Sequence, residues 1–332
     1  MNDKNLLGPW IRRFLLEYLV GERNLARNTQ ASYRDTLTLL LPFVSKRAGV
    51  VIDKMAVDDI SPAIVRQFLD HLERDRQCTG VTRNQRLGAI HSLARFIGMR
   101  SPVHLSWCTE VRLIPFKKTD KTLISYLEKA EMDELLRQPD RDTVLGLRDY
   151  VLLLFLYNSG ARADEAARLT IGDLHLDNLP SVRILGKGNK IRICPLWPMM
   201  IPLLRKLTAG RSADQVVFLG RANKPMTRFG IHRLVTRYAE MASEKIPSMR
   251  DKRISPHNIR HTTAVHMLRG GADINTIRAW LGHVSLDTTN IYAEVDMEMK
   301  AKALASVDVS GLPVMPLRHR TLPSLMTFLQ GI

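Results

Sequence analysis

The sequence predicts a mainly α-helical protein of two domains, with one small β-hairpin in the second (α+β). Three observations carry this. The chain has 332 residues, which suggests two domains. Most of it shows apolar residues at helical spacing, bounded by capping residues. One stretch alone, "SVRILGKGNKIRICPL", shows two short β-rich runs joined by Gly186-Lys187-Gly188-Asn189.

The first domain spans residues 1–105 and reads as helices throughout. Trp10 to Val20 carries apolar residues at helical spacing. Thr29 opens a second helix, with Tyr33, Leu37, Leu40 and Leu41 on one side. Ser61 followed by Pro62 is a strong helix start, because serine caps the free N–H groups and proline needs none. A fourth helix runs from Thr82 to Gly98. Its apolar face is Leu87, Ile90, Leu93, Ala94 and Ile97, and its other face carries Arg83, Asn84, Arg86 and His91. Residues 106–124 read as an extended linker: the period is lost, and Pro102, Pro115 and the Lys117-Lys118 pair flank or fill the stretch.

The second domain spans residues 125–309. "SYLEKAEMDELLRQ" and "LGLRDYVLLLFLYNSG" are helical, and the latter is apolar nearly all round, so it is buried and ends at Gly160. After the hairpin, helix resumes from Leu196 to Val307. Residues 310–332 form a proline-broken tail with a short apolar helix, Pro323 to Leu329.

Composition narrows the function. Lys and Arg number 49 against 33 Asp and Glu, a net charge of +16, which favours a polyanionic partner and above all nucleic acid. The basic residues are spread through the folded parts rather than gathered in a tail. Three distant cysteines, Cys78, Cys108 and Cys194, follow no zinc-site spacing and read as reduced thiols of a cytoplasmic protein. The N-terminus lacks the features of a signal peptide, and no apolar run is long enough to span a bilayer.

Four pieces of the second domain carry candidate chemistry. "GARADEAARLT" places Arg162 just after a buried helix, with Glu165 three residues on to buttress it. The hairpin tip offers Lys187 between two glycines, with Lys190 close behind. "SPHNIRHTTAVHMLRGGAD" puts His257 and Arg260 on one helix face. His257 and His261 are four apart, but no third metal ligand accompanies them. "LGHVSLDTTNIYAEVD" holds His283 and Tyr292. Alone, each piece has a plain structural explanation: an ion pair, a solubilising turn, a satisfied helix-start histidine, a tyrosine at a helix margin.

As an ordered set, Arg162, Lys187, His257-x-x-Arg260, His283 and Tyr292 resemble the signature of the tyrosine recombinases, or phage-type integrases, most closely the Xer-like bacterial branch. The resemblance is tight over residues 125–300 and looser over the N-terminal helices "ARNTQASYRDTLTLL" and "TRNQRLGAIHSLARFI". It implies a two-domain, C-shaped clamp on double-stranded DNA. The enzyme would break and rejoin strands through a 3′-phosphotyrosine, with Tyr292 as nucleophile and Lys187, favoured over Lys190 by the alignment of "GKGNK", as general acid. His257 would exchange protons, and Arg162, Arg260 and His283 would stabilise the phosphate. No cofactor and no metal are implied. Arg83, Asn84, Arg86 and Lys190 are the expected DNA contacts. The expected partners are specific recombination sites and a tetramer of this chain, or of this chain with a related recombinase. The tail would dock on a neighbouring subunit through Leu325, Met326, Phe328 and Leu329.

The chemistry is coherent from below. A phosphodiester gains charge on the way to a pentacoordinate state and needs fixed cationic donors, and two guanidiniums can each grip two oxygens. Departures from the family pattern are Ala161, where leucine is common, and Ala166, where a bulkier apolar residue is usual. "MASEKIPSMRDKRIS" is longer and more basic than in compact relatives. That basic insertion and the long tail lean the biological role towards a mobile genetic element. Xer-type dimer resolution is the alternative within recombination. A type IB topoisomerase-like enzyme and a non-cutting accessory factor are the alternatives outside it. The expected location is the cytoplasm, at the nucleoid.

Overall fold

The structure is a computed structural model that describes residues 5–119 and 125–282. His283, Tyr292 and the tail residues Leu325, Met326, Phe328 and Leu329 lie outside the described residues. The chain divides into two compact units, Met1–Thr122 and Leu123–Ile332.

The first unit is helical. Helix α1, Leu7–Arg13, runs directly into a π-helical stretch, Phe14–Glu22, where the sequence pattern suggests one continuous helix. The stretch buries Phe14, Tyr18 and Leu19, with the Phe14 and Tyr18 rings stacked at 5.8 Å. Helix α2, Arg27–Ala48, starts two residues before Thr29 and ends at Gly49, whose φ of 68° suits glycine. Helix α3, Pro62–Arg74, begins as its sequence dictates: Ser61 Oγ accepts from the Ile64 N–H at 3.3 Å, and Val65, Phe68, Leu69 and Leu72 face the core. Helix α4, Gly80–Gly98, is capped by Thr79, not Thr82; the Thr79 hydroxyl accepts from the Thr82 N–H.

The expected extended linker from residue 106 is corrected at its start. Leu105–Arg112 is helix α5, and it belongs to the core of the first unit. Trp107, Cys108 and Val111 are buried, and the Trp107 indole N–H donates to the Ile60 carbonyl at 2.9 Å. Gly98 makes the close approach to α5 feasible, since a Cβ there would sit 2.6 Å from Cys108. Further along, Asn84 Nδ2 donates to the Lys117 carbonyl while the Lys117 N–H donates to Asn84 Oδ1.

The second unit is built around one buried helix. Helix α6, Lys129–Arg137, begins four residues after Ser125, with Glu131 accepting from the Glu128 N–H. Helix α7, Val144–Ser159, is capped by Thr143 and is buried continuously from Asp149 to Ser159. Each fully buried Leu or Phe along it contributes about 1.5–3 kcal/mol relative to exposure. It ends at Gly160, φ 59°, where a Cβ would meet Leu281 at 2.4 Å. Buried Asp149 accepts from Arg148, from Arg237 and, at 2.8 Å, from the Tyr238 hydroxyl, tying α7 to the later helix.

After the short helix α8, Ala163–Arg168, come three antiparallel strands in sequence order: β1, Leu174–His175; β2, Ser181–Leu185; and β3, Ile191–Pro195. β2 and β3 are the expected hairpin, in register Ile184↔Arg192 and Val182↔Cys194. β1 is an addition of two residues that no sequence signal marks. Among the described residues four α-helices follow: α9, Met200–Thr208; α10, Arg228–Lys245; α11, Pro256–Arg269; and α12, Ile274–Leu281. No helix among the described residues is long and apolar enough to cross a membrane.

Candidate active site

The end of α7 sets the first piece. Gly160 turns the chain sharply, and Arg162 becomes the N-cap of α8, in extended backbone at φ −72° and ψ 152°. Glu165, one turn in, accepts from the Arg162 backbone N–H at 2.9 Å and from Arg162 Nη1 at 2.8 Å. The Arg162 side chain is 41% exposed and that of Glu165 only 2%. So the carboxylate is a buried anchor that aims a solvent-facing guanidinium.

The second anchor on Glu165 is Arg192 of β3, whose Nη2 donates at 2.7 Å. Burial alone pushes the Glu165 carboxyl up. The hydrogen bond and charge of Arg192, with the bonds from Arg162, outweigh it and hold the carboxyl below its usual range. In the sequence Arg192 is only one of many basic residues. Its environment is visible only in the fold.

Arg260 comes from α11, which starts at Pro256 with Ser255 and Asn258 forming a reciprocal cap. It is 1% exposed, among the largest fully buried side chains. Nη1 donates to the Gly160 carbonyl and Nη2 to the Leu281 carbonyl, both at 2.7 Å. One planar fork thus clamps the ends of α7 and α12. These are the segments that lead into Arg162 and His283.

His257 lies one turn before Arg260. Desolvation, then the positive charges of Arg260 and Arg162, lower its pKa below 6.5. Its ring meets that of His261 edge-on, centroids 4.2 Å apart, and burial with the neighbouring His257 and Arg260 takes His261 down to about 4. Both imidazoles are therefore neutral at pH 7. Among the described residues, no three His, Cys, Asp or Glu side chains gather as metal ligands.

Lys187 sits on the tight turn Lys187–Asn189 that joins β2 to β3, with Gly188 at φ 73° and the Gly186 N–H donating to the Lys190 carbonyl at 2.8 Å. Lys190 is exposed and helps line a cleft of about 850 Å³ between β3 and α12. The described structure therefore brings together Arg162, Glu165, His257 and Arg260, and adds Arg192.

The expected DNA contacts on α4 are engaged within their own unit. Arg83 Nη1 donates to Asn84 and to the Pro115 carbonyl, and Arg86 Nη1 donates to the Ser32 carbonyl and the Thr36 hydroxyl.

A solvent-facing arginine on a buried carboxylate, a buried arginine and a neutral histidine, carried on a helical unit with a three-stranded sheet, are an arrangement able to hold a phosphodiester. Residues 125–299 match the phage integrase family, and residues 11–100 match the family's N-terminal SAM-like domain. The tyrosine recombinase XerD of Pasteurella multocida is 33% identical over 297 residues, covering 87% of this chain and 94% of that one. The tyrosine recombinase XerC of Pelobacter propionicus is 32% identical over 292 residues, covering 87% and 91%. Among solved structures, the XerH recombinase in its post-cleavage complex with palindromic difH substrate overlays with a TM-score of 0.67 at 21% identity, covering 86% and 81%. A lambda integrase dimer on a COC′ core site gives 0.63 at 15% identity, covering 84% and 96%. The chain belongs to the phage integrase family, the tyrosine recombinases, which cleave and rejoin DNA.

Proposed function

We propose that this chain is a site-specific recombinase in which Tyr292 attacks a DNA phosphodiester, with Arg162, Lys187, His257, Arg260 and His283 as its catalytic partners. The observation that carries this reading is the convergence of Arg162, His257 and Arg260: both guanidiniums act on one imidazole that remains neutral at pH 7. Arg162 offers its exposed guanidinium to the phosphate. Arg260 supplies a second charge from a desolvated position, where screening is weak.

In the first step the Tyr292 phenolic oxygen bonds to phosphorus and its proton passes to a base, for which neutral His257 is suited. The bond from phosphorus to the 5′ oxygen breaks, and Lys187 protonates that oxygen. The products are a 3′-phosphotyrosine and a free 5′-hydroxyl. Rejoining runs the same steps in reverse with another 5′-hydroxyl, so the bond energy is kept and no nucleotide triphosphate is consumed.

The substrate is duplex DNA at specific sites, in keeping with the +16 charge and with the DNA-bound recombinases that share the fold. Four chains acting on two paired sites is the assembly that exchange of strands requires. Arg83, Asn84 and Arg86 would meet the phosphate backbone from their internally braced positions on α4, with Lys190 contacting it from the hairpin. The basic stretch at 241–255 supports action on a mobile element rather than on the chromosome. Its residues Arg250 and Arg253 are exposed. A DNA-acting enzyme of this kind works in the cytoplasm, at the nucleoid.

The test is covalent trapping. Nicked duplex fragments from the DNA flanking the gene are incubated with protein in EDTA and run on a denaturing gel. An adduct with wild type that is absent with Tyr292→Phe supports the reading. An adduct that persists with Tyr292→Phe shows that another residue is the nucleophile.

A further inference from the structure

Strand β3 is folded inside out. Its sequence, "IRICP", would by hydrophobicity turn its isoleucines inward and its arginine outward. The structure does the reverse: Ile191 is 55% and Ile193 66% exposed, while Arg192 is 8% exposed. Burying a guanidinium is costly unless it is paired and hydrogen-bonded, and exposing two isoleucines adds to the cost. A fold that accepts both at neighbouring positions is holding Arg192 inside for a reason.

The surroundings of Arg192 supply one. Nη2 bonds Glu165 Oε2 at 2.7 Å, and the other oxygen of that carboxylate holds Arg162. On a second side, a Cβ at Gly186 would sit 3.5 Å from Arg192 Nη1 and 3.4 Å from Glu165 Oε1, so the residue preceding Lys187 rests against this pair. On a third, a Cβ at Gly282 would sit 3.2 Å from Arg192 Cδ, so the backbone leading to His283 rests on the arginine stem. Among the described residues its Nε is buried without a hydrogen-bond partner.

We infer that Arg192 is a positioning residue: by pairing with Glu165 and packing against Gly186 and Gly282, it sets the relative placement of Arg162, the Lys187 turn and the segment that enters His283. It touches no substrate. It keeps Glu165 charged, so that Glu165 grips Arg162 as a carboxylate. The inference rests on the recombinase reading of these residues.

The charged and titratable groups around Glu165 are Arg162 at the start of its own helix and, from β3, Arg192 and the Cys194 thiol; Arg260 of α11 acts on Cys194. Without Arg192, burial acts on Glu165 with only Arg162 opposing it, and the carboxyl titrates higher. Loss of Arg192 therefore has a pH signature: slow cleavage in acid, recovering as pH rises and Glu165 ionises.

The experiment measures single-turnover cleavage of the nicked flanking-DNA fragments from pH 5.5 to 9, for wild type, Arg192→Gln, Arg192→Lys and the double variant Glu165→Gln/Arg192→Gln. DNA retention on native gels and thermal melting are followed in parallel. For Arg192→Gln the expected loss is about 100-fold at neutral pH, the scale of an active group displaced by about 1 Å. The loss shrinks at high pH, and DNA binding is kept. Arg192→Lys, which retains a charge beside Glu165, follows the wild-type pH dependence and cleaves faster than Arg192→Gln. At low pH the double variant loses nothing beyond Arg192→Gln.

A loss that is uniform across pH and follows the melting temperature overturns the inference, as does a lysine variant no faster than the glutamine one. If Arg192→Gln does not fold, the lysine variant decides alone: a wild-type pH dependence supports the inference, and a new dependence rising with pH overturns it. Absence of an adduct with wild type, DNA being bound, overturns the recombinase reading itself and this inference with it. Normal wild-type cleavage with uniform losses overturns this inference only.

Discussion

Replacing Arg260 by lysine tests whether a fork, rather than a charge, is required at that position. The Arg260 guanidinium joins two carbonyls that are 121 residues apart in the chain, Gly160 and Leu281, each at 2.7 Å. A lysine ammonium is a single point on a flexible stem and cannot reach both with the same geometry. One charge-assisted hydrogen bond is then lost, a cost of about 1.5–3 kcal/mol, and the carbonyl left behind is buried. In the proposed mechanism Arg260 also stabilises the reacting phosphate, and one missing donor there slows reaction by about 10²–10³-fold. Urea denaturation of the purified chain reads the first effect; single-turnover cleavage of nicked duplex reads the second. Both are expected, with no change in net charge. A lysine variant with wild-type stability and a rate within about threefold of wild type would refute the idea that Arg260 acts as a clamp.

Three further predictions follow from other parts of the molecule. With a 5′-bridging sulfur in place of oxygen, the leaving group needs no proton, so Lys187→Ala should cleave that substrate about as fast as wild type while losing about 10²–10⁴-fold on the normal one; equal losses on both would remove Lys187 from the acid role. The lowered His257 pKa places the acid limb of cleavage below pH 6.5, and a rate profile falling at or above 6.5 would contradict neutral His257 as the base. Glu131 is buried, yet Lys252, Ser248 and the Glu128 N–H together hold its carboxyl below 4.5. A depressed carboxylate contributes stability that is present above 4.5 and is lost as pH falls through the folded value. Lys252→Met should therefore destabilise the chain by about 2–4 kcal/mol at pH 7 and by much less at pH 3, as measured by urea titration at the two values.

How far the sequence announces this structure differs by element. Helix α7 is plain in the sequence because its apolar residues run all round and Gly160 stops it. Helix α3 is plain because Ser61 and Pro62 state its start. Helix α5 is hidden: it is eight residues long and flanked by Pro102 and Pro115, so Trp107, Cys108 and Val111 do not stand out as a period. The π-helical stretch at Phe14–Glu22 differs from α-helix by one residue in the span of each hydrogen bond, too little to show in a short apolar run. At the site, Arg162, His257 and Arg260 could be picked out because their spacing resembles a family signature. Arg192 could not. A buried arginine in a strand looks, in sequence, like the polar half of an ordinary alternation, and only the exposed isoleucines beside it reveal the inversion.

The Arg260 clamp has a consequence for the life of the chain on the ribosome. The first carbonyl it needs is made early and the second, at Leu281, only after another 121 residues. Until Leu281 has left the exit tunnel, Arg260 lacks one of the two carbonyls that it clamps. A nascent or prematurely terminated chain can fold its first unit, which holds a core of its own, without having a site able to cut. The chain is thus without its clamp while it is being made, and completes it only as the last of its described helices is delivered.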